Sequence, residues 1–305
     1  MRVFGLSVAL MLVVTSATAF ETRRLSLDYD GEVREALMDA PSDARNAPVL
    51  VALHGGLAGP MTVRRKARVQ LAREGWVVLW PSALGDWNDG RVDSWGDPFD
   101  TADDIGFLRA LIGALAAEGR IDPERVYFAG PSIGGMMVLR LVCDAPDLVA
   151  GAAIAIASFP DGYDCPDGPA VPMMVMHGTE DDIVPPGGGR IGGWNPLIRE
   201  RGWVRPIDET VARLAARNGC AGFAEEALPD RTPSDNSTAA RRIYQGCAAP
   251  LIHYVVEGAG HTWPGASPSG LGRRIVGETN QDFSATRAVE GFFKALAEAD
   301  TPAIR

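Results

Sequence analysis

The chain has 305 residues, 46% of them hydrophobic, with 29 Lys and Arg against 39 Asp and Glu, a formal net charge of −10. That length and apolar share suffice for one large α/β domain or two small ones. The acidic balance argues against nucleic acid or an anionic membrane surface as the partner.

Residues 1–19 read as a secretory signal peptide. Arg2 opens it, Val3 to Val14 is mostly apolar, and Ala17-Thr18-Ala19 forms an A-x-A cleavage site. The apolar run falls short of the roughly 20 residues that a membrane span needs. Export would place the chain in the periplasm or outside the cell. Leu25, Leu27 and Tyr29 then alternate with polar residues, and Asp30-Gly31 signals the turn of a hairpin returning through Val33 to Met38.

Val49 to Leu53 is continuously apolar, as in a strand covered on both faces. It ends in His54-Gly55-Gly56-Leu57, whose amides are candidate oxyanion donors: Gly56 first, Leu57 as the alternative. His54 reads as a residue that orders this loop. Met61 to Glu74 reads as a basic helix and Trp76 to Trp80 as a buried strand. Gly85 to Pro98 is a long loop, in which Trp87 and Trp95 either line a pocket or pack the loop down. Asp103 to Leu115 has the apolar spacing of an amphipathic helix.

Val126 to Ala129 is a further buried strand. It runs into Gly130-Pro131-Ser132-Ile133-Gly134, a G-x-S-x-G turn, and then into the apolar helical stretch from Met136 to Val142. Strand, tight turn, serine and helix are the context of a nucleophile elbow. There the amide of Ile133 would be the second oxyanion donor. Ala150 to Ala157 and Met173 to Met176 are also strands. The latter leads into His177-Gly178-Thr179-Glu180-Asp181-Asp182, where an acid would be presented. Asp181 is favoured and Asp182 is its rival. Asp208 reads as the cap of a helix over Ile207 to Ala216. Ala224 to Asp235 carries no clear period. Arg241 to Tyr244 is a short strand and Leu251 to Val256 a longer one containing a structural His253. His261 follows that strand, where a general base would emerge, and the last helix runs from Ser284 to Ala297.

Strands alternating with helices indicate a mostly parallel sheet covered on both faces. With no repeat and no linker, residues 20–305 read as a single catalytic domain without a large lid. The four cysteines, Cys143, Cys165, Cys220 and Cys247, suggest two disulfides in an exported chain. Three pairings are possible, and neighbour pairing, Cys143–Cys165 with Cys220–Cys247, is preferred. Their wide spacing without a nearby histidine speaks against a metal site. A serine needs a base within hydrogen-bond reach. The order Ser132, Asp181, His261, each after a strand, points to a serine hydrolase.

The stretches LHGG at 53–56, WNDGR at 87–91, DDIGFLRALI at 103–112 and GPSIGG at 130–135 carry a resemblance. So do HGTEDDIVP at 177–185, ARNGC at 216–220, GHTWPG at 260–265 and TNQDFSAT at 279–286. The chain resembles secreted esterases that include polyhydroxybutyrate depolymerases of the LpqC type and the feruloyl and acetylxylan esterases of carbohydrate esterase family 1. The resemblance runs from Val49 to Phe293. It implies an α/β-hydrolase fold, Ser132 as nucleophile, Asp181 as acid, His261 as base, no cofactor, and a disulfide Cys220–Cys247 before the histidine strand. The chain departs from the family pattern at Pro131, where leucine is frequent, at Asp182, where proline is common, and after His54-Gly55-Gly56.

The leading expectation is therefore a secreted esterase acting on hydroxyalkanoate oligomers, polyester or short acyl esters. The alternative is a feruloyl or acetylxylan esterase acting on plant polysaccharide, for which Trp87, Trp95, Trp194 and Trp263 are candidate stacking surfaces, with Trp203 beside them. A peptidase and an inactive ligand-binding protein are the remaining readings. The oligomeric state is not indicated.

Overall fold

The structure is a computed structural model and describes residues 20–56, 58–192, 201–267 and 273–299. The expected signal peptide, Leu57 and Trp194 lie outside the described residues.

In chain order the strands are β1 (Phe20–Tyr29), β2 (Glu32–Pro41), β3 (Ala47–Ala52), β4 (Val77–Pro81), β5 (Ile121–Pro131), β6 (Gly151–Ala155) and β7 (Met173–Gly178). They continue with β8 (Gly189–Arg190), β9 (Trp203–Val204), β10 (Gly222–Ala227), β11 (Thr238–Gln245) and β12 (Leu251–Glu257). The helices are α1 (Pro60–Ala67), α2 (Asp104–Ala117), α3 (Ile133–Asp144), α4 (Ile207–Arg217), α5 (Arg273–Val276) and α6 (Ala285–Ala299).

One sheet takes the order β1-β2-β4-β3-β5-β6-β7-β12-β11-β10, and β8 and β9 pair separately. From β4 to β12 the neighbours are parallel, while β1, β2 and the β11–β10 edge run antiparallel. This is the expected α/β-hydrolase fold. The β1–β2 hairpin closes on Asp30 and Gly31, at φ 53° and 79°. Two positive φ angles are what a two-residue turn needs to follow the twist of the strands.

The central strands are apolar on both faces because both are covered. Val49, Val51, Phe128 and Ile154 pack towards α2 and α3. Leu50, Tyr127, Ala153 and Met174 alternate with them and pack towards α6 through Phe293 and Val289. Asp103 caps α2, its carboxylate accepting from the Gly106 amide at 2.9 Å.

Three elements differ from the sequence expectation. The single helix expected over Met61 to Glu74 is broken: α1 ends at Ala67, Arg68 turns to φ 51°, and a 3-10 turn spans Leu71–Glu74. The cause lies in α6. Thr286 donates to the Ala67 carbonyl and Glu290 accepts from the Gln70 amide, so α6 satisfies the backbone that a continuous helix would have paired internally. Asp208 is not the cap of α4. Pro206 holds that position and Asp208 sits in the first turn, where a carboxylate favours the helix dipole. The unassigned stretch begins inside β10, which is exposed along its whole length. Its register is set by β11 and by the cross-strand pairs Arg242–Glu225 and Arg241–Glu226, not by an apolar period.

Candidate active site

The carboxyl ends of parallel strands form the edge at which α/β sheets bind ligands. Three loops emerge there, following β5, β7 and β12. They carry Ser132, Asp181 and His261.

Ser132 stands alone between β5 and α3, at φ 54° and ψ −131°. A non-glycine residue with positive φ is strained and persists only where its surroundings hold it. Here its amide donates to the Ala155 carbonyl at 2.9 Å and its carbonyl accepts from Met136 at 2.9 Å. The turn also depends on missing side chains. A Cβ on Gly130 would lie 2.5 Å from the Gly134 carbonyl carbon, and one on Gly134 would lie 2.5 Å from the His54 carbonyl oxygen. Glycine at both positions lets β5, α3 and the loop after β3 close on one another.

That closure brings the glycine loop against the serine. A Cβ built on Gly55 would sit 3.5 Å from the Ser132 Cβ, and one on Gly56 would sit 3.5 Å from Ile133 Cδ1. The loop thus lies against Ser132 through Gly55 and against the Ile133 side chain through Gly56. Ile133 opens α3, so no carbonyl within the helix takes its amide, and the helix dipole presents positive charge at that point. Backbone amides in such a place can stabilise a developing oxyanion.

His54 holds the glycine loop. It is buried, its Nδ1 is 3.0 Å from the Gly55 carbonyl, and its Nε2 accepts from the Ala83 amide at 3.1 Å. Both ring nitrogens are therefore used by the backbone, and burial pushes its pKa below the usual histidine value. The ring is kept neutral.

Asp181 follows β7 and is 3% exposed, whereas its neighbour Asp182 faces solvent. Its Oδ1 accepts from the amides of Ile183 at 2.9 Å and Val184 at 2.8 Å. Its Oδ2 lies 2.8 Å from Nδ1 of His261. With Nδ1 donating to this carboxylate, Nε2 carries the lone pair. The loops are neighbours because β7 and β12 pair in parallel, and the Glu180 amide bonds the Ala259 carbonyl at 2.9 Å.

The tryptophans divide. Trp87 is corrected from a stacking candidate to a packing residue: it is fully buried, its ring lies 5.0 Å from His54, and its indole donates to the His54 carbonyl at 2.9 Å. Trp263 is partly buried against the α6 side of the core and donates to Thr286 at 3.0 Å, which ties the histidine loop to α6. Trp95 is 90% exposed at the tip of a turn built on the Asp93 carboxylate. Trp203 is half-exposed on β9.

Cys143 is bonded to Cys165 and Cys220 to Cys247. The first bond ties the end of α3 to the loop before β7, and the second joins the ends of α4 and β11. Two features escaped the sequence reading. His177 and His253 form a buried pair, Nδ1 to Nε2 at 2.9 Å, beneath the acid loop. Asp86, Asp89, Arg91 and Arg201 form a charged cluster beside Gly56. WNDGR carried part of that second signal, but nothing local pointed to Arg201.

No family model matches the chain. It is 28% identical over 267 residues to "Putative esterase NocK" of Nocardia uniformis subsp. tsuyamanensis, covering 80% of this chain and 73% of that protein. It is 27% identical over 233 residues to poly(3-hydroxyalkanoate) depolymerase C of Paucimonas lemoignei, covering 72% of this chain and 56% of that protein. It is also 28% identical over 168 residues to feruloyl esterase B of Piromyces equi, covering 52% of this chain and 29% of that protein. The chain thus spans well under two thirds of the last two. Among solved structures it superposes on an acetyl xylan esterase from Aspergillus awamori with a TM-score of 0.54 at 16% identity, covering 79% of this chain and 94% of that one. The chain is a distant relative of α/β-hydrolase esterases, and it shares their fold.

Proposed function

We propose that the chain is a serine carboxylic-ester hydrolase working through an acyl-enzyme, with Ser132 as nucleophile, His261 as general base and acid, and Asp181 as the residue that orients the imidazole. The observation that carries this reading is the Asp181–His261 contact of 2.8 Å at the sheet edge where Ser132 emerges from a strained elbow. Asp181 holds the proton on Nδ1, so Nε2 takes the proton of the serine hydroxyl as it attacks the acyl carbonyl. The amides of Ile133 and Gly56 receive the negative oxygen of the tetrahedral species. The alcohol leaves with the proton from Nε2. Water then repeats the sequence on the acyl-enzyme and releases the acid.

For the substrate, an acyl ester of plant polysaccharide, feruloyl or acetyl, takes precedence over a hydroxyalkanoate oligomer. Feruloyl and acetylxylan esterases recur among the relatives, and one of the fold neighbours is an acetyl xylan esterase. The polyester reading stays second because depolymerases of hydroxyalkanoates are relatives too. Two disulfides support an exported chain, since such bonds persist in oxidising compartments. One catalytic domain after the leader is part of the same reading.

The test compares kcat/KM for methyl ferulate, acetylated xylan oligomers and a soluble 3-hydroxybutyrate oligomer, with Ser132→Ala beside the wild type. The expected result is turnover of the ferulate or acetyl ester above the oligomer, lost in Ser132→Ala together with fluorophosphonate labelling. Wild-type turnover in Ser132→Ala would sink the nucleophile assignment. Preference for the oligomer would restore the polyester reading.

A further inference from the structure

Beside the glycine loop the structure holds a guanidinium that the reaction above does not use. Arg201 Nη1 would lie 3.4 Å from a Cβ on Gly56, so the fork rests directly over the proposed oxyanion loop. Its side chain is 28% exposed, open to solvent on one side.

The arginine is fixed at both ends. Its Nη1 donates to Asp86 Oδ2 at 2.8 Å, and its backbone carbonyl accepts from Arg91 Nη1 at 2.9 Å. Arg91 is itself fully buried and held through Nε by both carboxylate oxygens of Asp89, at 2.9 and 2.8 Å. The next residue, Gly202, has φ +86° and backs onto the Val92 carbonyl, where a Cβ would come within 3.0 Å. The cluster therefore presents Arg201 on a rigid base.

The charges in the cluster are unequal in availability. Arg91 and Asp89 neutralise each other inside the protein. Asp86 is shared, meeting Arg201 at 2.8 Å and Arg91 at 3.4 Å. Arg201 offers five N–H donors and, among the described residues, spends one on Asp86. A planar fork of this kind matches a carboxylate in two parallel hydrogen bonds, which a lysine cannot do. In a chain of net charge −10, a half-open cation beside the glycine loop is set against the general field of the molecule.

We infer that Arg201 is a specificity-determining residue that selects esters bearing a free carboxylate close to the scissile bond, on either the acyl or the alcohol side. This rests on the esterase reading and narrows its substrate class to acidic esters. The carboxylate binds the part of the fork that Asp86 leaves open, and the ester carbonyl is thereby drawn to the amides of Gly56 and Ile133.

The experiment uses two matched pairs of esters with the full chain. One pair is mono-4-nitrophenyl glutarate and its methyl-capped form, followed by 4-nitrophenol release. The other is 4-acetoxybenzoate and its methyl ester, followed by acetate release. The expected wild-type result is a preference of about 10- to 100-fold in kcat/KM for the acidic member of at least one pair, the range of a hydrogen-bonded charge contact. Arg201→Gln is expected to collapse that ratio towards one, and Arg201→Lys, which keeps the charge without the fork, to retain part of it. A wild-type ratio near one in both pairs overturns the inference. So does an equal loss on acidic and neutral members in Arg201→Gln, which would make the arginine a tether of the loop. Failure of the folded wild type to turn over any of the four esters, acidic or neutral, would instead bring down the esterase reading beneath it.

Discussion

Asp181 divides its carboxylate between two tasks: Oδ1 is taken by the amides of Ile183 and Val184, and Oδ2 faces Nδ1 of His261 at 2.8 Å. The first task fixes where the second is performed. In Asp181→Asn an amide replaces the charged oxygen. It can turn its NH2 towards the imidazole, which would then accept at Nδ1 and carry its proton on Nε2, the wrong side for taking a proton from serine. The expected outcome is a fall in kcat of about 10³- to 10⁴-fold on an activated ester, with little change in KM. Asp182→Asn, altering a solvent-facing carboxylate, is expected to stay within about twofold. A large loss in Asp182→Asn with a small one in Asp181→Asn would reverse the assignment.

Gly134 gives a second check on the elbow. Its missing side chain leaves room for the carbonyls of Leu53 and His54, which a Cβ would approach to 2.8 and 2.5 Å. Both are backbone atoms and cannot swing aside. Gly134→Ala must push α3 away from the glycine loop, separating the Ile133 amide from that of Gly56. The expected result is a destabilisation of about 1–3 kcal/mol, as for other overpacked sites, with a loss of kcat larger than the stability change explains at 25 °C. A variant with wild-type kcat would show that the loop and the elbow need not be in contact.

The parts of this arrangement that were legible in the sequence are those set locally. β3, residues Val126 to Ala129 of β5 and residues Met173 to Met176 of β7 are continuous apolar runs because each is covered on two faces, and the loops after them carry their chemistry within a few residues. Spacing alone could not separate Asp181 from Asp182. The distinction comes from which carboxylate turns inward to the amides of its own loop. Trp87 could not be placed either, since its burial depends on the His54 carbonyl across the fold. The break at Arg68 is set by Thr286 and Glu290 of α6, far along the chain, and no local propensity announces it. Arg201 belongs to the same class: its partners Asp86 and Arg91 come from another loop, and its nearness to Gly56 is a product of the fold.

The disulfides make a prediction that does not depend on catalysis. Cys220 and Cys247 close a loop with a sequence separation of 27 and pin the β10–β11 pair at the exposed antiparallel edge of the sheet. In the chain-entropy picture, a loop of this length confers about 3.5 kcal/mol by restricting the unfolded chain. The double variant Cys220→Ala/Cys247→Ala is expected to melt several degrees lower. kcat should be nearly unchanged at 25 °C, because the bond lies at the opposite end of β12 from the His261 loop. An unchanged melting temperature would mean that the edge is held by its strand pairing alone.

The buried pair His177–His253 carries a pH dependence whose sign can be worked out. Burial pushes the His177 pKa from near 6.5 down to about 4, with Arg242 adding to the effect and Asp208 opposing it. Burial also pushes His253 well down, helped by His177 and Arg242. Nδ1 of His253 is buried with no hydrogen-bond partner among the described residues, so a proton there would meet nothing. Above pH 6.5 both rings are neutral whether the chain is folded or not, and they impose no penalty. As the pH falls below 6.5 the unfolded chain takes up protons that the folded one refuses, so stability drops down to about pH 4 and beyond. Asp89 acts in the opposite sense. Burial raises its pKa from 3.8 to about 6, so between those values the folded chain binds the extra proton and gains stability on acidification. A variant separates the two slopes. Thermal melts from pH 7.5 to 4.5 are expected to fall less steeply in His177→Asn/His253→Asn than in the wild type, while the slope contributed by Asp89 is common to both. Parallel curves would show that the pair takes its protons equally well in the folded chain.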